Sequence, residues 1–201
     1  MNLVHQGDDV WGSPALEQDV FVTMKNVRWG VGAGAMQLLD TVSGSAITAF
    51  CVDVTRWLTE PPGAYESKAS WFSGPVTANV QALFNTAYAS VNSAASAAGF
   101  QMALWEIVTE SANNPLNLSS GAFRVTGTPQ AVAHAKNYLA GLSGPVTQRY
   151  NLTFLDSMTT DRPGYGQDLI GVAPVPLPAS VLLLGGALAG MGALRRRQKN
   201  A

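Results

Sequence analysis

The chain has 201 residues, of which 47% are hydrophobic and only 12% are charged, and its formal net charge is -1. This length supports one sizeable hydrophobic core with room for a small second lobe. The charged fraction lies well below the roughly one quarter usual for soluble domains, which favours an exported or surface protein. Because no basic stripe lies outside the extreme C-terminus, the electrostatic footprint of a nucleic-acid-binding protein is missing.

Short strand patterns occupy the N-terminal part of the chain. The segments with this pattern are Asp19–Lys25, Met36–Thr41 and Ala46–Val54. Glycine-rich segments at 30–34 and 43–45 predict turns between them. In the third strand, alternation places Cys51 and Asp53 on a mixed face, so the thiol need not be sealed in the core.

Helical spacing dominates the middle of the chain. Helices are predicted for Val76–Ala89, Ser93–Val108 and Pro129–Leu142,. In the second helix, Gln101 shares an otherwise apolar stripe with Leu104, Trp105 and Val108,. Since an unpartnered buried amide costs about 1 to 3 kcal/mol, Gln101 is expected to have a specific bonding role.

The order of these elements predicts an α+β fold. Two further strands are expected near Tyr150–Leu155 and Gln167–Val172. We expect a β-sandwich or barrel-like core from residues 1–55 and 145–172, with a helical lobe over 76–142. Together they form one domain, residues 1–172.

The C-terminal segment, 173–201, has a different character. A proline-rich stretch leads into an apolar run, which is followed by Arg195, Arg196 and Arg197. The run predicts a short transmembrane helix over 179–194. By the positive-inside rule, the basic tail stays in the cytoplasm and the preceding domain faces outward.

The segment Val175-Pro176-Leu177-Pro178-Ala179, with the apolar run and the arginines after it, resembles the VPLPA variant of PEP-CTERM sorting signals of Gram-negative bacteria. That resemblance implies processing by an exosortase, transient anchoring in the inner membrane, and release to the cell surface or extracellular matrix. It also implies a secretory signal, which residues 1–9 lack, so we expect the true start to lie upstream.

Cys51 is the only cysteine of the chain and cannot be half of an internal disulfide,. It lies in Phe50-Cys51-Val52-Asp53, and Gln101 lies downstream in Phe-Gln-Met-Ala-Leu-Trp-Glu-Ile. Over about 34–172, these paired motifs are similar to those of thioester domains, best known as adhesion modules of bacterial surface proteins. The resemblance implies that the Cys51 sulfur and the Gln101 side-chain carbonyl form an internal thioester.

The function implied is covalent capture of an amine on a partner, either a protein lysine or a polyamine. Trp105 is expected to shield the bond from water, and Asp53 or Glu106 to steer or deprotonate the amine. Because the thioester reacts once, the protein is not expected to be an enzyme, and no cofactor is required.

Two other interpretations stay open on the residues alone. Cys51 can be an ordinary buried hydrophobe and Gln101 an ordinary helix residue, which would leave a noncovalent structural or carbohydrate-associated matrix protein. Alternatively, Cys51 and His134 could meet in space as a hydrolase pair. A metal site is not expected, because the acidic residues are scattered and no cluster of cysteine or histidine exists.

Overall fold

The computed structural model describes residues 1–7, 9–59, 62–110, 115–143, 147–159 and 163–175. The expected transmembrane helix, Pro176 to Ala179 of the sorting motif, and Arg195 to Arg197 lie outside these residues. Among the described residues, no helix is both long and apolar enough to cross a membrane.

The fold is α+β, with nine strands and three α-helices in the described part of the chain. The strands are β1 (Asn2–His5), β2 (Glu17–Met24), β3 (Val27–Gly34), β4 (Met36–Asp40), β5 (Ser45–Cys51), β6 (Gly63–Lys68), β7 (Phe123–Thr126), β8 (Tyr150–Ser157) and β9 (Leu169–Pro174). The helices are α1 (Gly74–Ala87), α2 (Ala94–Thr109) and α3 (Pro129–Ala140). All three helices and all five expected strands are present, with shifted ends.

Six of the strands close into an antiparallel barrel in the order β1-β4-β5-β9-β8-β6. The expectation of a barrel-like core is therefore confirmed, and the architecture is a barrel rather than a sandwich. Strand β5 lies between β4 and β9, with Ala49 opposite both Met36 and Gly171. The last barrel strand in the chain thus pairs directly with the strand that ends at Cys51.

The other three strands form a separate sheet in the order β3-β2-β7. Two expectations are wrong here: the glycine-rich segment 30–34 is part of β3 and not a turn, and β2 lies outside the barrel. The glycines permit a close approach of neighbouring backbone, since a Cβ on Gly34 would lie 2.0 Å from the Leu16 carbonyl oxygen. A turn pattern and a tightly packed glycine strand look alike in sequence.

Helix α2 lies at the centre of the molecule. It begins with a capping box, in which the side chains of Ser93 and Ser96 bond each other's backbone N–H,. Every residue from Ser96 to Ile107 is buried. The helix therefore has no exposed polar face, and the predicted apolar stripe at Gln101 is only part of a helix that is buried all round.

Candidate functional site

Cys51 and Gln101 are brought together by the packing of α2 against the end of β5. The residues just before them, Phe50 and Phe100, are fully buried, and their ring centroids lie 4.6 Å apart. Phe84 completes the cluster with centroid distances of 5.7 Å and 4.9 Å to these two rings. Such aromatic contacts contribute about 0.5 to 1.5 kcal/mol each beyond buried area, so they fix α2 against the strand.

Two hydrogen bonds join the side chain of Gln101 to the main chain of Cys51. The Cys51 N–H donates to Gln101 Oε1 at 3.0 Å, and Gln101 Nε2 donates to the Cys51 carbonyl oxygen at 2.8 Å. Gln101 is 1% exposed. The expected bonding role of the amide is therefore present, and its partner is the cysteine.

The sheet register explains why this main chain needs a partner. Strand β4 begins at Met36, which lies opposite Ala49 of β5. On the other side of β5, β9 continues the pairing to Cys51, opposite Leu169. The Gln101 amide therefore supplies the donor and the acceptor that one more strand residue would have given Cys51.

The Cys51 thiol is more buried than strand alternation predicted. The residue is 5% exposed, and β5 ends there, so the mixed face that was expected to include Asp53 does not extend that far. Burial raises the pKa of the thiol well above its ordinary value, and the negative charges of Asp53 and Asp168 raise it further. Trp105 and the Asp53 backbone N–H act in the opposite direction. The free thiol is consequently a poor nucleophile unless its proton is removed during reaction.

Trp105 lies one turn of α2 after Gln101 and next to the sulfur. Its side chain is 1% exposed, and its indole Nε1 has no hydrogen-bond partner. The indole N–H is nevertheless near enough to the Cys51 sulfur to lower the pKa of the thiol. A charged sulfur would accept this buried donor more strongly than the neutral thiol does.

Cys51 and Trp105 line a cavity of about 390 Å³, and Gln101 lies behind them outside its lining. Four of the chain's five tryptophans line it, namely Trp11, Trp29, Trp57 and Trp105. We call it the tryptophan cavity. Sequence reasoning did not identify Trp11, Trp29 and Trp57 as site residues; the signal was the number of tryptophans, but their spacing along the chain gave no reason to group them.

One wall of the tryptophan cavity is the loop from Val54 to Leu58, which two sets of contacts hold in place. Gln167 Nε2 donates to the Asp53 and Arg56 carbonyl oxygens at 3.3 Å and 2.9 Å. The Trp57 N–H donates to the Gly164 carbonyl oxygen at 2.8 Å. The loop is therefore fixed to the segment that precedes β9.

Asp53 and Glu106, expected to steer or deprotonate an amine, do not line the tryptophan cavity. The Asp53 carboxylate accepts hydrogen bonds from the Thr55 N–H at 2.9 Å and Thr55 Oγ1 at 2.6 Å, and Arg56 lies 3.4 Å away. The Glu106 carboxylate accepts the Asn117 N–H at 2.5 Å. Both carboxylates are thus engaged in holding loops.

Glu106 is fully buried, and its Oε2 atom has no hydrogen-bond partner. Burial raises the pKa of its carboxyl to about 7; the Asn117 N–H opposes the rise and the charge of Glu110 adds to it. Glu110 holds the same loop, accepting the Ala122 N–H at 2.7 Å. Glu106 and Glu110 therefore hold loop residues 117 and 122 in place, and their role is structural rather than chemical.

His134 lies on α3, where its ring packs against Tyr138 with a centroid distance of 5.7 Å. It is not among the residues that line the cavity at Cys51. A Cys51–His134 pair is therefore not brought together at this cavity. Among the described residues, no three of the types His, Cys, Asp and Glu are grouped so as to hold a metal ion.

Comparisons with protein-family models, with curated proteins and with solved structures found no match.

Proposed function

We propose that this protein is a surface or matrix protein that captures an amine of a partner through an internal thioester between Cys51 and Gln101. The observation that carries the proposal is the pair of hydrogen bonds between the Gln101 amide and the Cys51 main chain, 3.0 Å and 2.8 Å long. Two residues 50 positions apart are held in contact, and one of them, Cys51, lines the tryptophan cavity. Such proximity is the main requirement of an intramolecular acyl transfer.

In the proposed bond-forming step, the Cys51 sulfur attacks the Gln101 side-chain carbon. The thiol proton passes to Nε2, the C–N bond breaks, and ammonia leaves. The Cys51 N–H already donates to Oε1 at 3.0 Å, where negative charge develops in the tetrahedral intermediate,. The same hydrogen bond that positions the amide therefore polarises its carbonyl.

In the capture step, a primary amine attacks the thioester carbon and the C–S bond breaks. The amine proton passes to the Cys51 sulfur, and the product is an amide on Gln101 with a free thiol. The unpartnered Trp105 N–H faces the departing sulfur and stabilises its charge,. Because burial disfavours the free thiolate, the bond resists water until a nucleophile occupies the cavity. Each molecule reacts once, so this is capture and not catalysis.

The proposed location follows from the sorting motif. Val175 lies directly after β9, is 37% exposed, and donates its N–H to the Arg149 carbonyl oxygen at 2.9 Å. Processing after this point by an exosortase would leave every barrel strand intact. The inner membrane would hold the chain only until that step.

Intact-mass measurement of the purified protein tests the thioester. The expected mass is that of the sequence less one ammonia. Methylamine should form one adduct, which adds the mass of one methylamine. Cys51→Ala and Gln101→Glu should both have full mass and form no adduct. Gln81→Glu is the matched control, because Gln81 is a partly buried glutamine that, like Gln101, donates to a backbone carbonyl, that of Tyr150 at 3.0 Å. A full-mass wild type whose thiol is alkylated completely after denaturation would overturn the proposal.

One observation favours a second candidate, a noncovalent matrix protein. The Gln101 amide already satisfies both its polar groups on the Cys51 main chain, and this alone stabilises the fold without any covalent bond. That protein would have full mass and an inert buried thiol, so the same measurement separates the two candidates.

A further inference from the structure

We infer that the tryptophan cavity binds the apolar body of a primary amine, an alkyl or arylalkyl group, and so selects apolar monoamines over polyamines. The inference rests on the proposed function, since it names the substrate class of the same thioester. The cavity volume of about 390 Å³ falls within the range of small-molecule sites,.

The wall of the tryptophan cavity is predominantly apolar. Besides the four indoles, its aliphatic lining is Val10, Val27, Val31, Met36, Val54 and Leu58. Of its polar side chains, Gln167 and Thr55 are engaged by hydrogen bonds to the Asp53–Arg56 segment. Contact with such a wall removes a hydrocarbon body from water and so stabilises the bound amine.

The lining of the cavity gives a cationic ligand no anionic partner, since Asp53 and Asp168, whose charges act on the Cys51 sulfur, do not line it. Among the described residues that line it there is no carboxylate, and the one charged residue is Arg56, a cation that lies 3.4 Å from Asp53. A polyamine carries further ammonium groups besides the reacting nitrogen. Those groups would lose water in the cavity without gaining an anionic partner, at a large cost.

The same environment activates a monoamine. An amine attacks a thioester only as the free base, and transfer into an apolar cavity lowers the pKa of an ammonium ion. The cavity therefore favours the reactive form at the point of attack.

The orphaned donor of Trp105 marks this cavity as more than a packing void. Its Nε1 is buried without a partner, although buried polar groups are nearly always bonded,. Trp105 lines the cavity, and its Nε1 donor lies near the Cys51 sulfur. As the C–S bond breaks and before the amine proton arrives, the charged sulfur is an acceptor for this donor,.

The test compares the rates at which the full-length protein forms adducts with 2-phenylethylamine, ethanolamine and spermidine at equal free-base concentrations, followed by intact mass. We expect 2-phenylethylamine to react at least about tenfold faster than either polar amine, as burial of its ring predicts. Trp57→Ala should remove most of this preference. Phe21→Ala is the matched control, because Phe21 is a similarly exposed aromatic, 47% against 55%, that does not line the cavity. Equal rates, or faster reaction of spermidine, would overturn the inference.

A second measurement separates this inference from the thioester itself. Cys51→Ala cannot form the bond, yet its cavity should bind the uncharged analogue 2-phenylethanol, with a saturable change in tryptophan fluorescence that Trp57→Ala weakens. Saturable binding together with a full-mass wild type would mean that the thioester fails and the apolar site stands. A mass deficit without such binding would mean the reverse.

Discussion

The side chain of Gln101 binds the main chain of Cys51 as if it were one more residue of the neighbouring strand. Its Oε1 accepts the Cys51 N–H at 3.0 Å, and its Nε2 donates to the Cys51 carbonyl at 2.8 Å. Neither bond uses the cysteine side chain. Replacing Gln101 therefore removes both hydrogen bonds, whereas replacing the side chain of Cys51 removes neither. This difference distinguishes a hydrogen-bonded contact from a covalent bond.

The first prediction compares Gln101→Ala with Cys51→Ala in denaturant unfolding. Gln101→Ala should lower the free energy of unfolding by about 2 to 4 kcal/mol, because it leaves a cavity and unpairs the buried Cys51 N–H and carbonyl. If no covalent bond exists, Cys51→Ala keeps both hydrogen bonds and should cost only about 1 kcal/mol.

With the thioester present, Cys51→Ala also removes a cross-link between residues 50 positions apart. By analogy with a disulfide of that loop length, the loss would be about 4 kcal/mol. Similarly large losses of unfolding free energy in both variants would support the thioester. A small loss in Cys51→Ala beside a large loss in Gln101→Ala would contradict it.

The second prediction concerns Trp105→Phe. Phenylalanine keeps the aromatic packing but removes the unpartnered buried Nε1 donor, so stability should change by less than about 1.5 kcal/mol. Methylamine capture should nevertheless slow by about tenfold or more, because the departing sulfur loses a hydrogen-bond donor.

The rate and the stability are measured on the same sample, by intact mass and by denaturant unfolding. If the variant lost stability but captured methylamine at the wild-type rate, Trp105 would be a packing residue only.

The sequence predicted the strands and helices with strong periodicity and missed what depends on long-range packing. Alternation located β5 and helical spacing located α2, because both patterns follow from local geometry. The glycines of β3 suggested a turn, because nothing local indicates that Leu16 lies against Gly34,. The barrel closure between β6 and β8 likewise depends on pairing distant in the chain.

For the site, the sequence identified the pair Cys51 and Gln101 but neither the form of their contact nor the cavity. An amide at a buried helix position predicts some partner. That the partner is main chain follows only from where β4 begins, at Met36. Asp53 and Glu106 were candidates because they are carboxylates close in sequence to the pair. Sequence proximity does not determine which way a side chain points, and both carboxylates hold loops instead.

The third prediction tests the close packing of α2 on α3. A Cβ added to Gly99 would lie 2.5 Å from the His134 Cβ and 2.8 Å from the Ala131 carbonyl oxygen. Although alanine is favoured over glycine in a helix by about 1 kcal/mol, the clash with backbone should outweigh this and leave Gly99→Ala destabilised by about 1 to 3 kcal/mol.

Gly141→Ala is the matched control for this substitution, because a Cβ at Gly141 meets nothing within 4 Å. Its thermal midpoint should stay close to that of the wild type. If Gly99→Ala were as stable as Gly141→Ala, the two helices would not be packed as closely as described.

The fourth prediction is a pH dependence set by Glu106. Burial raises the pKa of this carboxyl from its ordinary 4.5 to about 7 in the folded protein, so the folded state holds the proton more tightly than the unfolded chain. Its contribution to stability is therefore complete below about pH 4.5 and is lost as the pH rises through 7, by no more than about 3 kcal/mol,.

Glu106→Gln keeps an acceptor for the Asn117 N–H and carries no charge, so its free energy of unfolding should fall less between pH 4.5 and 7 than that of the wild type. Glu110→Gln should give an intermediate profile, because it removes the neighbouring charge that adds to the rise in the Glu106 pKa. Denaturant unfolding across this range measures all three proteins, and parallel profiles for wild type and Glu106→Gln would contradict the assignment.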